Sequence, residues 1–429
     1  MKTEEESTRK RVSVSQLKPG VYVASLDQSW FESKFYFHHR MIKDARDIEL
    51  LKIQGVREVV IDTARGADVE TPEPALVKLP AATVELARED EPVVEILPET
   101  PPPPAPEQEL RPWIKGIEAA RSIQGDALVA AQHIFDGVGS GAPVNSPAAK
   151  KVVTDLLGSV TQSPEANLLL TQMHRFQDDL FTHAVNVCVL SLVFASVEGI
   201  DGDASVLGLG ALLHDIGKTR LPRSLIRKKE PHTESQRRLL EQHVKLGAAV
   251  LAQGENIPAS VNRIVAEHHE LLDGSGYPAG LHGGQISVLS QIVAITDAYD
   301  TLLSGRTQAP IQPIEVLRQL YLKGNAGAFD RDLVQRIIHC LGVYPAGSLV
   351  ELNTGERGIV IASNRTDSLK PTLRIISTHD GLDLADGPVI NLTQTDSDSA
   401  ARRIVRALDP GKERVNLLAY LKLAPAALG

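Results

Sequence analysis

The chain has 429 residues, 42% of them hydrophobic and 23% charged, enough for two or three domains with cores of their own. Aromatics are only 4%, so those cores must rest on Leu, Val, Ile and Ala, and a formal net charge of −9 argues against nonspecific nucleic-acid binding. No run of eighteen apolar residues marks a membrane span, the start MKTEEESTRKRVSV has no secretory apolar core, and two cysteines are too few for a disulfide framework or a thiolate metal site. These features predict a cytoplasmic protein in which Cys188 and Cys340 are buried thiols. An anionic small molecule stays compatible with the charge if a bound metal cluster supplies local positive potential.

In chain order, RVSVSQLKPGVYVASL alternates apolar and polar residues on either side of Pro19-Gly20, as two strands joined by a turn would. FYFHH reads as a further strand, and DARDIELLKIQGVREVVID as an Asp-capped helix, a stop at Gly55 and a buried strand. Residues 11–70 thus form a small α+β regulatory module. Residues 71–112 carry eleven prolines among many Glu residues and read as a semi-rigid acidic linker. From 113 to 341 the periodicity is helical and predicts an all-α bundle. From 342 to 429 the pattern turns β-rich, with strands either side of Asn353-Thr354-Gly355, another at LRIISTHDG, and a last helical stretch near Asn416–Leu423.

Eight of the thirteen histidines fall between His174 and His282, including the adjacent pairs His214-Asp215 and His268-His269. From His183 to His214 is 31 residues, from Asp215 to His243 is 28, from His243 to His268 is 25, and from His269 to Asp297 is 28. A helix, a loop and a returning segment consume about that length, so side chains at these intervals can meet at one level of a helical bundle. Taken singly, a helical histidine is more often structural than a ligand, and His133, His174, His232 and His282 are read that way. His183, His214, Asp215, His243, His268, His269 and Asp297 are harder to dismiss together, because buried imidazoles and carboxylates each need a partner. Imidazole and carboxylate donors without thiolate suit iron, manganese or zinc.

HDIGK at His214–Lys218, followed by HHELLDGSGYPAGL at His268–Leu281, resembles the HD-GYP phosphodiesterases, a branch of the HD hydrolase superfamily. ITDAYDTLLSGR at Ile295–Arg306 is similar to the Asp-bearing helix that follows in that family, and the resemblance covers about residues 168–341. Residues 11–68 also resemble a small domain of unknown function found ahead of HD-GYP domains, and GVYPAGSLVELNTGERGIVI a β extension found after them. The resemblance implies a multidomain chain with an all-α HD-type bundle. It implies cyclic di-GMP as substrate, hydrolysed to linear pGpG, GMP or both, and two divalent ions, iron or manganese, on His183, His214, Asp215, His243, His268, His269 and Asp297, with Asp215 bridging. Water bridging two such ions loses a proton near neutral pH and becomes a nucleophile for phosphorus. Members with a third ion carry an acidic residue four positions before the first His. Asp179 stands there, but in place of Glu, which leaves the third ion open. Lys218, three residues after Asp215, would hold a phosphate oxygen as a point charge. Gly274 and Gly276 permit unusual backbone conformations, so that Gly276 and Tyr277 can be presented to a guanine or phosphate. The GYP loop and the N-terminal module would also serve protein partners such as diguanylate cyclases, and a homodimer is admitted.

One departure bears on specificity. The family commonly continues after the Asp helix with Arg-Pro-Tyr and a basic residue. Here Arg306 is followed by Thr307-Gln308-Ala309, so Arg306 alone is kept as a phosphate contact. SLIRKKEPHTESQ also lacks the usual Lys-Pro-Gly. Two alternatives follow: a hydrolase of another cyclic dinucleotide or nucleotide phosphoester, and a cyclic di-GMP receptor or docking module without turnover. The linker reading is checked by limited proteolysis: first cuts are expected within residues 71–112, and a protease that spares the whole segment would overturn it.

Overall fold

The structure, a computed structural model, describes residues 9–26, 40–42, 48, 58–63, 65–67, 69, 106–174, 180–200, 202–226, 228, 231–305, 311–394 and 402–421. The strand expected at FYFHH, nearly all of the helix expected over 44–54, residues 71–105 of the expected linker, Asp179 and Arg306 lie outside the described residues. The chain divides into two compact units, residues 1–102 and 103–429.

The first unit is a four-stranded antiparallel sheet of β1 (Arg9–Ser13), β2 (Tyr22–Leu26), β3 (Arg40–Met41) and β4 (Glu58–Asp62) in the order β1-β4-β2-β3. The strands flanking Pro19-Gly20 form as expected but do not pair with each other. β4 lies between them, with Arg9 opposite Asp62 and Ser13 opposite Glu58 on one side. The reason is local: after β1 the chain turns into a short 3₁₀ segment, Val14–Gln16, closed by a reciprocal Ser13–Gln16 capping box. The apolar β4 then fills the centre, where Val59 and Ile61 are buried against Val12, Val14, Val21 and Val23.

In the second unit α1 (Pro106–Gly139) takes in the last seven residues of the segment read as linker, with Pro106 at its first position, where a missing N–H costs nothing. Proline density hid the helical periodicity there. It is followed by α2 (Ser146–Gln162), α3 (Pro164–His174), α4 (Leu180–Glu198) and α5 (Ala204–Leu213). Then come a 3₁₀ turn, Ile216–Arg220, α6 (Glu234–Ala252), α7 (Ala259–Glu267), α8 (Val288–Ser304), α9 (Pro313–Asn325) and α10 (Arg331–Leu341). Helix α4 is apolar all round and lies in the main core with α5 and α8, as such a helix must. By length and composition alone it could cross a membrane, but 78% of its most apolar window is buried in the bundle. Cys188 and Cys340 are both buried and unpaired, and burial pushes both thiols up, Cys340 to about 12.

The C-terminal sheet contains β5 (Leu349–Leu352), β6 (Arg357–Ala362), β7 (Thr372–Ser377), β8 (Val389–Asn391) and β9 (Ile404–Leu408), antiparallel in the order β8-β7-β6-β5-β9. It is no loose tail. Leu349, Ile359, Ile361 and Ile376 share a core with Ile117 and Ala120 of α1 and Leu169 and Leu170 of α3, and the Trp113 indole N–H donates to the Ile361 carbonyl at 3.1 Å.

The contact that sets the site's position is Gly217, in the 3₁₀ turn just after His214-Asp215. A Cβ there would lie 2.0 Å from the His243 carbonyl oxygen and 2.4 Å from the Gly247 nitrogen. Both are backbone atoms of α6, so the turn and the helix touch main chain to main chain. Gly217→Ala is therefore expected to destabilise the fold by about 1–3 kcal/mol or more in urea denaturation. Gly137→Ala, in α1 with open space around it, is expected to stabilise by about 0.5–1 kcal/mol. Equal effects from the two would contradict this packing.

Candidate metal centre

Six elements each bring one or two polar side chains into an otherwise apolar core. His183 stands in the first turn of α4, His214 ends α5, and Asp215 opens the 3₁₀ turn. His243 lies midway along α6, His268 caps α7 with His269 directly after it, and Asp297 lies midway along α8. All seven meet. The Asp215 carboxylate sits among them and divides its oxygens: Oδ2 lies 3.4 Å from His214 Nε2 and 3.7 Å from His183 Nε2, while Oδ1 lies 3.3 Å from His243 Nε2 and 3.9 Å from His268 Nε2. Asp297 Oδ1 approaches His183 Nε2 at 2.9 Å and His214 Nε2 at 3.9 Å, and its Oδ2 lies 3.8 Å from His269 Nδ1.

Three of the imidazoles are oriented by their own helices. His214 Nδ1 is 2.8 Å from the Ala211 carbonyl, His243 Nδ1 is 2.6 Å from that of Leu240, and His268 Nδ1 is 2.8 Å from that of Val265. With the proton on Nδ1 donated to a carbonyl three residues back, each Nε2 lone pair is left facing Asp215. Among the described residues His214 Nε2 and Asp215 Oδ1 are buried with no hydrogen-bond partner. Such orphans are costly, and cations between them would satisfy both. The donor atoms form two groups whose members lie within 4.8 Å of one another, His183, His214 and Asp215 in one and Asp215, His243, His268 and His269 in the other. Asp215 belongs to both. A nitrogen-and-carboxylate donor set joined in this way fits a pair of divalent ions sharing one carboxylate.

The charge states agree. Burial holds the imidazole of His268 well below its ordinary value, aided by neighbouring histidines, and burial holds that of His269 down to about 3. Both rings are neutral at pH 7. Burial alone would raise the Asp215 and Asp297 carboxyls. The Lys218 ammonium beside Asp215 and the His183 ring nitrogen 2.9 Å from Asp297 overcome it, so both carboxyls lie well below the usual carboxylate range. Lys218 donates to Asp215 Oδ2 and is 20% exposed, so its ammonium lies between the cluster and solvent.

The loop over the centre is held from below. Glu270 is buried, and its carboxylate accepts from the backbone N–H groups of Ala279 at 2.6 Å and Leu281 at 2.9 Å. A Cβ at Gly276 would lie 2.4 Å from the Leu271 nitrogen and 2.6 Å from the His269 carbonyl oxygen, so glycine is required by close backbone approach. That contact seats the Tyr277 ring against His269, centroids 4.7 Å apart, and 6.5 Å from His243. Burial raises the Tyr277 hydroxyl, with Asp297 and Asp215 adding to it, so it stays protonated.

Residues 9–149 match a domain of unknown function (DUF3391), residues 184–333 an HD domain, and residues 349–414 a KOW domain associated with HD domains. A cyclic di-GMP phosphodiesterase of Pseudomonas aeruginosa is 30% identical over 375 residues, spanning 85% of this chain and 84% of that protein. The chain belongs to the HD-GYP family. The cyclic di-GMP phosphodiesterase response regulator RpfG of Xanthomonas campestris is 35% identical over 119 residues, 28% of this chain and 32% of its own length. The 3'3'-cGAMP-specific phosphodiesterase 2 of Vibrio cholerae is 28% identical over 158 residues, 36% of this chain and 30% of its own length. Against these two, the chain aligns over about a third of their length.

Of the positions that the HD-GYP resemblance carries over, the structure brings together His183, His214, Asp215, His243, His268, His269 and Asp297, with Lys218 and Tyr277 at their border. Asp179 and Arg306 fall outside the described residues. Gly276 stands as backbone packing under the loop. Sequence reasoning missed Asp300, whose Oδ2 lies 2.6 Å from His183 Nδ1, and Asn186, which donates to Asp300 Oδ1 at 2.9 Å. It also gave no role to Glu270. For Asp300 and Asn186 a signal existed, since each stands three residues from a member of the cluster and so shares its helix face.

An acid-stability prediction follows from the imidazoles. Their folded-state values lie below the ordinary 6.5, so they contribute stability that is present above 6.5 and lost as pH falls from there toward 3. Chelator-treated protein should show a melting temperature that declines steadily as pH is lowered from about 7.5 to 5, ahead of any carboxylate titration. A flat profile across that range would contradict neutral burial of His268 and His269.

Proposed function

We propose that this chain is a metal-dependent phosphodiesterase that hydrolyses cyclic di-GMP. The observation that carries the reading is Asp215, buried and turned with one oxygen toward each of two nitrogen donor groups. Membership of the HD-GYP family and the named activity of the long-matching Pseudomonas relative support the substrate. His183, His214, Asp215 and Asp297 would hold one ion, and Asp215, His243, His268 and His269 the other. Iron or manganese fits these donors. Bound there, divalent ions supply Lewis acidity and lower the pKa of water.

The chain's own groups do the rest. With His268 and His269 neutral, the carboxylates of Asp215, Asp297 and Asp300 are the anionic groups of the centre, and paired divalent cations outweigh them and make it net positive toward a phosphodiester. Lys218 faces solvent at the border of the cluster and grips a non-bridging phosphate oxygen as a point charge. Tyr277, protonated and seated on His269, offers a hydroxyl donor and a ring face to the nucleotide. The apolar core of α4, α5 and α8 keeps water from the rear of the ligands.

A second reading changes the substrate to another cyclic dinucleotide. Arg306-Thr307-Gln308-Ala309 in place of the common Arg-Pro-Tyr-basic run favours it, as does similarity to a phosphodiesterase named as specific for 3'3'-cGAMP. The two are separated by turnover on each substrate, with manganese- or iron-loaded protein prepared without oxygen and products identified by chromatography. Cyclic di-GMP should give linear pGpG, GMP or both. The His214→Ala/Asp215→Ala double variant should fall to background, and Lys218→Met should lose about 10²-fold in kcat. Turnover of 3'3'-cGAMP but not cyclic di-GMP would establish the second reading, and no turnover of either by the fully loaded protein would remove both.

A further inference from the structure

The imidazoles of the cluster are not backed alike. Those of His214, His243 and His268 donate Nδ1–H to main-chain carbonyls of their own helices. His183 does not. Its Nδ1 lies 2.6 Å from Asp300 Oδ2, across the interface between α4 and α8, and Asp300 is as buried as His183 itself, each 1% exposed. The other oxygen of Asp300 is fixed by Asn186 Nδ2 at 2.9 Å. His183 and Asn186 are three apart on α4, and Asp297 and Asp300 are three apart on α8, so two helix faces interlock through a single imidazole. Asp297 meets one ring nitrogen at 2.9 Å and Asp300 the other.

We infer that Asp300, held by Asn186, is a positioning residue that makes the two ion sites unequal, strengthening the ion at His183, His214 and Asp215 over the ion at Asp215, His243, His268 and His269. A carboxylate behind an imidazole pulls its N–H proton and raises the basicity of the opposite nitrogen, whereas a carbonyl does so weakly. The site of His183 therefore combines the more basic imidazole with the nearby carboxylate of Asp297. The other site has three imidazoles and only its share of Asp215. The first should take up a divalent ion before the second and release it last. This inference rests on the two-ion reading proposed above but not on any substrate.

The experiment is a manganese titration of chelator-stripped full-length protein, followed by competition with a weak chelator and metal analysis. The parent should bind two ions, one more tightly than the other. Asp300→Asn keeps the shape and removes the charge, and should weaken the tighter ion by about 10- to 100-fold while leaving the weaker one unchanged. Asn186→Ala leaves the charge but frees the carboxylate, and should weaken the same ion by a smaller factor. Ser191→Ala is the structural control. It breaks a 2.9 Å hydrogen bond to Thr296 between the same two helices without touching His183, and should leave both affinities at parent values. Parent-like affinities in Asp300→Asn, equal loss of both ions, or the same loss in Ser191→Ala would overturn the inference. If Asp300→Asn does not fold, an unchanged Asn186→Ala overturns it. A parent that binds fewer than two ions would instead remove the two-ion reading itself.

Discussion

Everything around the site answers to one constraint, the burial of the Asp215 carboxylate at the meeting point of α4, α5, α6 and α7. An ionised carboxylate withdrawn from water is expensive unless charges and hydrogen bonds replace its hydration. Among the described residues the ammonium paired with it is that of Lys218, which itself reaches solvent. The remaining neighbours are imidazole nitrogens at 3.3 to 3.9 Å, several of them lone-pair sites that repel rather than solvate an anion. The arrangement makes physical sense as a set of acceptors converging on cations. A purely structural core would have replaced most of these groups with apolar ones.

Converging acceptors must be held against their mutual repulsion, and the fold does so with main chain. His214 and His268 occupy helix ends, and Nδ1 of each of His214, His243 and His268 is fixed to a carbonyl three residues back, so ring orientation follows from helix geometry rather than from long side-chain networks. Where the 3₁₀ turn after Asp215 passes α6, Gly217 lets the two backbones touch. Where the loop passes His269 and Glu270, Gly276 does the same, and Glu270 closes it through two backbone N–H groups. Precision at the centre is thus set by positions that carry no reactive group.

The cluster was legible in the sequence because His183, His214-Asp215, His243, His268-His269 and Asp297 recur at spacings that match one helix and a return. The helical bundle and both β-rich regions were legible for the same reason of periodicity. Strand neighbours were not. Alternation marks β1 and β2 as strands, but nothing in their pattern says that β4, some 45 residues after β1, inserts between them. Nor did composition reveal that α1 starts at Pro106, because prolines at a helix start and in a linker look alike. The secondary supports were hardest to read: Asp300 shows only by sharing the helix face of Asp297, and Glu270 is an ordinary acidic residue in sequence that acquires meaning from the backbone N–H groups it meets.

The far side of the Asp-bearing helix completes the picture. Tyr299 lies between Asp297 and Asp300 in sequence, but its buried hydroxyl turns away from the ligands and accepts from Gln172 Nε2 of α3 at 2.9 Å. A Cβ at Gly347, at the entrance to the C-terminal sheet, would lie 3.0 Å from Leu169 and 3.5 Å from Gln172 of that same helix. Helix α3 therefore carries the sheet's apolar core on Leu169 and Leu170 and the anchor of α8 on Gln172. Because a packed interior does not deform smoothly, a sheet that shares its core with α1 and α3 forms part of the scaffold that fixes α8 from behind. Asp297 and Asp300 then face His183 from a helix anchored on both sides, which is the condition a two-carboxylate clamp on one imidazole requires.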